Sequence, residues 1–368
     1  MSSFHPHRVL LAIAAAGLLA GGVFAITAAA PAARDVLDSP AITSALASRG
    51  LLNGLAQAGE RRIVAVGQRG HVLWSDDGGA RWQQAQVPVS SDLVAVSFAD
   101  ARNGWAVGHD GVILHSNDGG ASWSRQLDGR GLGALLSEAY GRADALPQLD
   151  AATRSTLLAE AERLSAQGAE LPWLDVWFAD AQNGYVVGAF GLILRTRDGG
   201  QHWEPLMHAL DNPKALHLHA LRGVGREFYI VGEQGLVLKL DRKNDGSTER
   251  FRRVELPYQG SLFGVIGNDR AVLVHGLRGS ALRSTDGGAS WQTVATGVQA
   301  GLTAATLAGD GRWLLASQAG HLLASTDDGA SFSPVRLAGP LPAAALLSPA
   351  AGQIVIAGPR GVSAQPLP

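Results

Sequence analysis

The sequence predicts an all-β protein, a seven-bladed β-propeller with four-stranded blades, and three observations carry that expectation. One turn phrase recurs at a fixed step, a β-rich phrase recurs seven times, and glycine is abundant, with 47 Gly against 16 Pro in 368 residues. Self-similarity with a period near 40 residues, made of short strands and tight turns, is what a propeller blade leaves in a sequence.

The turn phrase begins at Ser75 and closes on Asp77-Gly78-Gly79-Ala80-Arg81-Trp82, and a second copy closes on Asp118-Gly119-Gly120-Ala121-Ser122-Trp123. Further copies run from Thr196 through Asp198 to Trp203, from Ser284 through Asp286 to Trp291, and from Ser325 through Asp327 to Phe332. A decayed version lies around Asp241 to Phe251. Asp77 and Asp118 are 41 residues apart, as are Asp286 and Asp327, so one period is one structural unit. This is the Asp-box. Asp can bond backbone N–H groups just downstream, Gly-Gly supplies positive φ, and the closing aromatic packs inward. Its aspartates and aromatics are therefore read as structural.

Ahead of each box lies a β-rich run ending in Val-Gly, or its equivalent, two residues and another Gly. It appears at Ile63–Gly67, Trp105–Gly108, Tyr185–Gly188 and Tyr229–Gly232, with degenerate copies at Val272–Gly276, Trp313–Ala316 and Ile354–Gly358. Seven copies predict seven blades spanning residues 39–368. Each reads as an inner strand such as Leu93–Phe98, the Val-Gly strand, a strand entering the box and a strand leaving it. The seventh unit stops at Pro368 with no box, so an outer strand is missing. Ser39–Ser48 is expected to supply it and close the ring, covering edges that otherwise invite aggregation.

In such a blade the boxes share one face, while the turns after Val-Gly and the blade-to-blade connections share the other. The turn pairs are Gln68-Arg69, His109-Asp110, Ala189-Phe190, Glu233-Gln234, Leu277-Arg278, Gln318-Ala319 and Pro359-Arg360. Arg69, Arg278 and Arg360 precede the glycine, and with blades seven and one adjacent, Arg360 and Arg69 should be neighbours. They form a candidate cationic patch, with His109 in the blade-two turn; solvated loop arginines are the plainer alternative.

Asp118 and Asp198 are 80 residues apart with only one blade between them, which places an insertion at 127–171, between blades two and three. Pro147 and Asp150 before it and Gly168 after it predict a helix over Ala151–Ala166, with Leu157, Leu158, Ala161 and Leu164 on one face. It would lie beside the arginine turns, as a docking element or packed passively on the rim.

Composition narrows the function. Lys+Arg 30 against Asp+Glu 32 leaves a net charge of −2, with no cation excess for nucleic acid or an anionic membrane. The absence of cysteine excludes disulfides, thiolate metal sites and a thiol nucleophile. Arg8 ahead of an uncharged run from Val9 to Ala33, with an A-x-A site at Ala28–Ala30, reads residues 1–33 as a signal peptide or an uncleaved anchor. The folded part is thus expected outside the cytoplasm, periplasmic or membrane-anchored, and as a monomer.

Asp-boxes also occur in sialidases, so a glycan-binding or glycoside-hydrolase propeller is the alternative. Tyr185 and Tyr229 share a blade position with Trp105 and look structural; Tyr140 lies in the insertion, leaving Tyr258 as the one candidate nucleophile. No sialidase arginine motif is present. His217 and His219 point to one side of a strand without a third ligand, while His71, His115 and His321 hold repeat positions. No catalytic residue, cofactor or metal is expected.

The combination Val-Gly-x-x-Gly, apolar strand, Ser/Thr-x-Asp-Gly-Gly-x-x-Trp, repeated to seven blades behind an export segment, resembles the photosystem II stability/assembly factor family. The resemblance covers Ser39 to Pro368. It implies a propeller that binds newly made membrane subunits through an arginine-rich face, and by blade position it points to Arg69, Arg278 and Arg360. A non-catalytic assembly factor for that or another membrane complex is the expected function.

Overall fold

Runs such as Ile63-Val64-Ala65-Val66 are too short for a helix and rich in β-branched residues, and they form strands. The strand Arg62–Gly67 is buried from Ile63 onward, without alternation, because it is covered on both faces by neighbouring sheets. The inner strand Leu93–Phe98 is only partly buried, at Leu93 and Val96, since it borders a central channel.

The structure, a computed structural model, describes residues 34–142, 144, 146–242, 249–337 and 339–368. The expected export segment 1–33 lies outside the described residues, as does the middle of the decayed box, 243–248. From Asp35 to Pro368 the chain forms seven antiparallel sheets with their strands in sequence order from centre to rim. Blade one is Leu52–Ala58, Arg62–Gly67, Val72–Ser75 and Gln83–Gln84. Each inner strand packs on the inner strands of both neighbours, and Leu52–Ala58 against Ala345–Leu347 closes the ring. Among the described residues no helix is long and apolar enough to cross a membrane.

Six blades have four strands; blade seven has three, Ala345–Leu347, Gln353–Gly358 and Gly361–Pro366. This corrects the expectation of four strands throughout and of a closing strand from Ser39–Ser48. That segment is committed to blade one: Ala41 N donates to Val87 O at 3.0 Å, and Gln84 bonds both Ile42 O and Ser44 N at 2.9 Å. It then turns through a short 3₁₀ element, Ala47–Arg49, against the start of the last strand. A Cβ on Gly361 would sit 2.0 Å from Ser48 O, so only glycine fits there.

The insertion holds two helices, α1 (Gly129–Gly141) and α2 (Ala151–Gln167). The expected helix is α2: Asp150 caps it by accepting from Thr153 N at 2.9 Å, and Gly168 ends it at φ 79°. Nothing in the sequence pointed to α1, whose four glycines disfavour a helix by about 1 kcal/mol each. One of them explains the exception. A Cβ on Gly133 would lie 2.1 Å from Ser165 Oγ and 2.8 Å from Ala161 O, so glycine lets the helices touch. Leu132, Leu136, Tyr140, Leu157, Ala161 and Leu164 are then buried with Trp105, Trp173 and Trp203 of blades two and three. Each leucine contributes about 1.5–3 kcal/mol on full burial.

Candidate protein-binding face

The Asp-box carboxylates are turned into their own loops. Ser75 Oγ donates to Asp77 Oδ1 and accepts from Gly79 N, each at 2.9 Å, and Asp77 accepts from Arg81 N at 2.9 Å. The same set recurs at Asp118, Asp198, Asp286 and Asp327. The Ser331 hydroxyl, then Ser325 and the Ser331 N–H, hold the Asp327 carboxyl down at about 2. Trp82, Trp123 and Trp291 donate from Nε1 to Gly79, Gly120 and Gly288 O at 3.0–3.1 Å. Trp203 does not: its Nε1 is buried without a hydrogen-bond partner among the described residues. Phe332, half-buried, has no donor to offer. This face is occupied with holding itself together.

On the opposite face, five turns after the second strand share one backbone: Gln68–Gly70, His109–Gly111, Ala189–Gly191, Glu233–Gly235 and Leu277–Gly279. Their middle residues, Arg69, Asp110, Phe190, Gln234 and Arg278, all have φ between 53° and 58°. That left-handed region costs a side-chain-bearing residue about 1–2 kcal/mol. Arg360 shares the blade position but not this conformation, since it sits in a two-residue hairpin between the paired Gly358 and Gly361.

Arg69, His109, Arg278 and Arg360 are exposed, and none of the three arginines forms an ion pair among the described residues. Arg360 comes within 3.4 Å of Pro340 O. The structure brings the turns of Arg360 and Arg69 to one place: Gly361 abuts Ser48 and Arg49, and Gln68 N donates to Leu51 O at 3.1 Å, on either side of the same 3₁₀ element.

Several residues on this face do not stand out in the sequence pattern. Asp92 ties blades one and two together, accepting from Arg69 N at 2.6 Å through its carboxylate and from His109 N at 2.9 Å through its carbonyl. Among the described residues, six of the seven exposed large apolar ones are Val36, Ile42, Leu46, Leu51, Phe190 and Leu277, in the N-terminal segment or in these turns. Ile42 is 77% exposed and Leu46 63%, which sets them apart from incidental rim residues. The signal in the sequence was an apolar residue where a turn favours a polar one. Tyr258 O–H donates to Leu277 O at 3.1 Å, buttressing the Arg278 turn. His217 Nδ1 accepts from Phe190 N at 3.1 Å and His219 Nδ1 donates to Leu262 O at 2.8 Å, so both brace loops.

The channel inside the inner strands is narrow, about 240 Å³, and lined by Asp175, Arg222, His219 and His275 among mostly apolar residues. Asp175 is buried; burial pushes its carboxyl up, opposed by Arg222, while Val176 N and Leu221 N donate to it at 2.9 Å. His275 Nδ1 donates to Leu302 O at 2.9 Å, and burial depresses the ring to about 4, so it is neutral at pH 7. These groups are internally satisfied and knit neighbouring blades.

The photosynthesis system II assembly factor YCF48 family model matches residues 45–134 and 160–271, more than half of the chain. The protein belongs to that family. The unmatched gap, 135–159, falls within the helical insertion. Among curated relatives, the photosystem II assembly lipoprotein Ycf48 of Synechococcus sp. (strain CC9902) is 28% identical over 156 residues, 42% of this chain and 46% of that protein. The chain spans about half the length of these curated relatives. Two solved structures share the fold. One, described as "YCF48 bound to D1 peptide", superposes with a TM-score of 0.62 at 18% identity, over 87% of this chain and 94% of that one. The other, YCF48 from Cyanidioschyzon merolae, gives 0.60 at 17%, over 87% and 97%.

Proposed function

We propose that the protein is an exported, non-catalytic assembly factor that holds a segment of a membrane-complex subunit against its turn face. The observation that carries this reading is the set of exposed, ion-pair-free guanidiniums of Arg69, Arg278 and Arg360, with His109, on the face opposite the Asp-boxes. Guanidiniums on the same face as the apolar Phe190 and Leu277 suit a peptide with carboxylate and apolar side chains. Family membership, and a relative whose structure is described with a D1 peptide bound, support the same class of partner.

Export through the segment 1–33 and a periplasmic or membrane-anchored location complete the proposal. Relatives are named lipoproteins, and these 368 residues contain no cysteine to acylate. The glycosidase alternative has less behind it, because the Tyr258 hydroxyl is engaged with a backbone carbonyl.

The test is an anisotropy titration of a labelled D1 peptide with the native protein and an Arg69→Glu/Arg278→Glu variant. A charge-assisted hydrogen bond contributes about 1.5–3 kcal/mol, so each reversal should weaken binding roughly tenfold or more with an unchanged melting temperature. Equal affinity in the variant would remove the arginines from the site.

A further inference from the structure

Six outer strands of two to five residues each cover the third strand of their blade, and the seventh is absent. The consequence is visible in burial. In five blades the third strand has three of its four residues buried, whereas in Gly361–Pro366 only Gly361 is buried and Val362 through Gln365 are half-exposed. The carbonyls of Val72, Ile193 and Val237 accept from Ala85, Leu206 and Val254 N at 2.8–3.1 Å. Each pairs across the hairpin with the residue just before the turn glycine, and Val362, paired with Ala357, is the blade-seven equivalent. Its carbonyl has no backbone partner among the described residues. Strand alternation puts Ala364 on the same outward edge.

We infer that the free edge Val362–Gln365 takes an extended segment of the membrane-subunit partner as the fourth strand of blade seven. The inference rests on the assembly-factor reading and adds how the partner is held. Strand addition supplies backbone hydrogen bonds that any extended peptide can make, so specificity must come from the ends. The six existing outer strands run antiparallel to the third and end at the turn face. A strand bound in that direction has its C-terminal end at Gly361, where Arg49 lies against the backbone and Arg360 is exposed. Neither arginine is ion-paired among the described residues. The occupant is therefore a stretch of two to five residues in β conformation followed by acidic side chains. Pairing stops at Pro366, which has no N–H. A second copy is a poorer occupant, since in a register centred on Ala364 its Pro366 would face the Val362 carbonyl.

The probe is an acetylated, amidated, labelled heptapeptide, Thr-Val-Thr-Val-Thr-Glu-Glu, titrated into the full chain by anisotropy. A twin N-methylated at every Thr and Val, which cannot donate along the edge in either register, is the control. Ala364→Pro removes one outward donor while leaving the hairpin bonds in place, and Ala364→Val keeps that donor. The expected result is saturable binding, weakened about tenfold or more by Ala364→Pro, retained by Ala364→Val and absent with the N-methylated twin. No binding of the unmodified peptide, equal binding by Ala364→Pro, or binding of the twin overturns the inference, as does a dimer abolished by Ala364→Pro. If Ala364→Pro leaves D1-peptide affinity intact while Arg69→Glu removes it, strand addition fails and the assembly-factor reading stands.

Discussion

At Arg69, Asp110, Phe190, Gln234 and Arg278 the backbone adopts a conformation that glycine enters without steric cost, yet glycine occupies none of these positions. Holding a side chain there at about 1–2 kcal/mol marks the side chain, rather than the turn, as what matters. Arg278→Gly relieves that strain but frees the unfolded chain, so we expect calorimetry to show a stability change under about 1 kcal/mol. A loss of several kcal/mol would mean Arg278 is structural. Acid response also divides by residue. His208 and His275 sit near 4 through burial, against an ordinary value of 6.5. Their stabilising effect is complete above about pH 6.5 and is lost as pH falls towards 4. Asp198 and Asp327, near 2 against 3.8, lose theirs between about pH 4 and 2. The urea midpoint should therefore fall in two stages, and His275→Gln should shrink only the first. A flat midpoint down to pH 4 contradicts this.

Between elements, the α1–α2 contact makes a prediction that helix propensity alone reverses. Gly133→Ala should raise helix stability by about 1 kcal/mol in isolation. Here the added methyl meets Ser165 and Ala161 at 2.1–2.8 Å, and overpacking of that kind costs about 1–3 kcal/mol. A lower melting temperature is expected, and a higher one would show that the helices part easily. The same contact explains why α2 was legible and α1 was not. Asp150, Gly168 and the spacing of Leu157, Ala161 and Leu164 are local signals. Gly133 in α1 answers to a partner helix, and Gly129 to the backbone at Ala169 just beyond it, contacts that local sequence does not reveal.

Across the whole molecule, the 41-residue step and the Asp-box chemistry made the ring readable from sequence, because both are local and repeated. The candidate face was readable only in part. Blade position placed Arg69 and Arg278 on the turn face, but Arg360's different backbone, the bridging by Asp92 and the exposure of Ile42 and Leu46 depend on how distant segments meet. The missing strand of blade seven was inferred correctly from the absent box, while the segment assigned to fill it is held by blade one.

Blades one and seven meet at the only boundary in the ring that no strand-to-strand connection crosses. What joins them is packing of Leu52, Ala65 and Trp82 on Ala345, Ala357 and Val362, together with Gln353 Nε2 donating to Gly78 O at 2.8 Å. Mechanically the ring behaves as a clasp. In an optical trap pulling on the two chain ends, tension reaches this seam before it loads any blade's interior, and blade seven should peel away in a separate low-force step. A single rip releasing all seven blades would mean that the seam bears load as well as the covalent connections do.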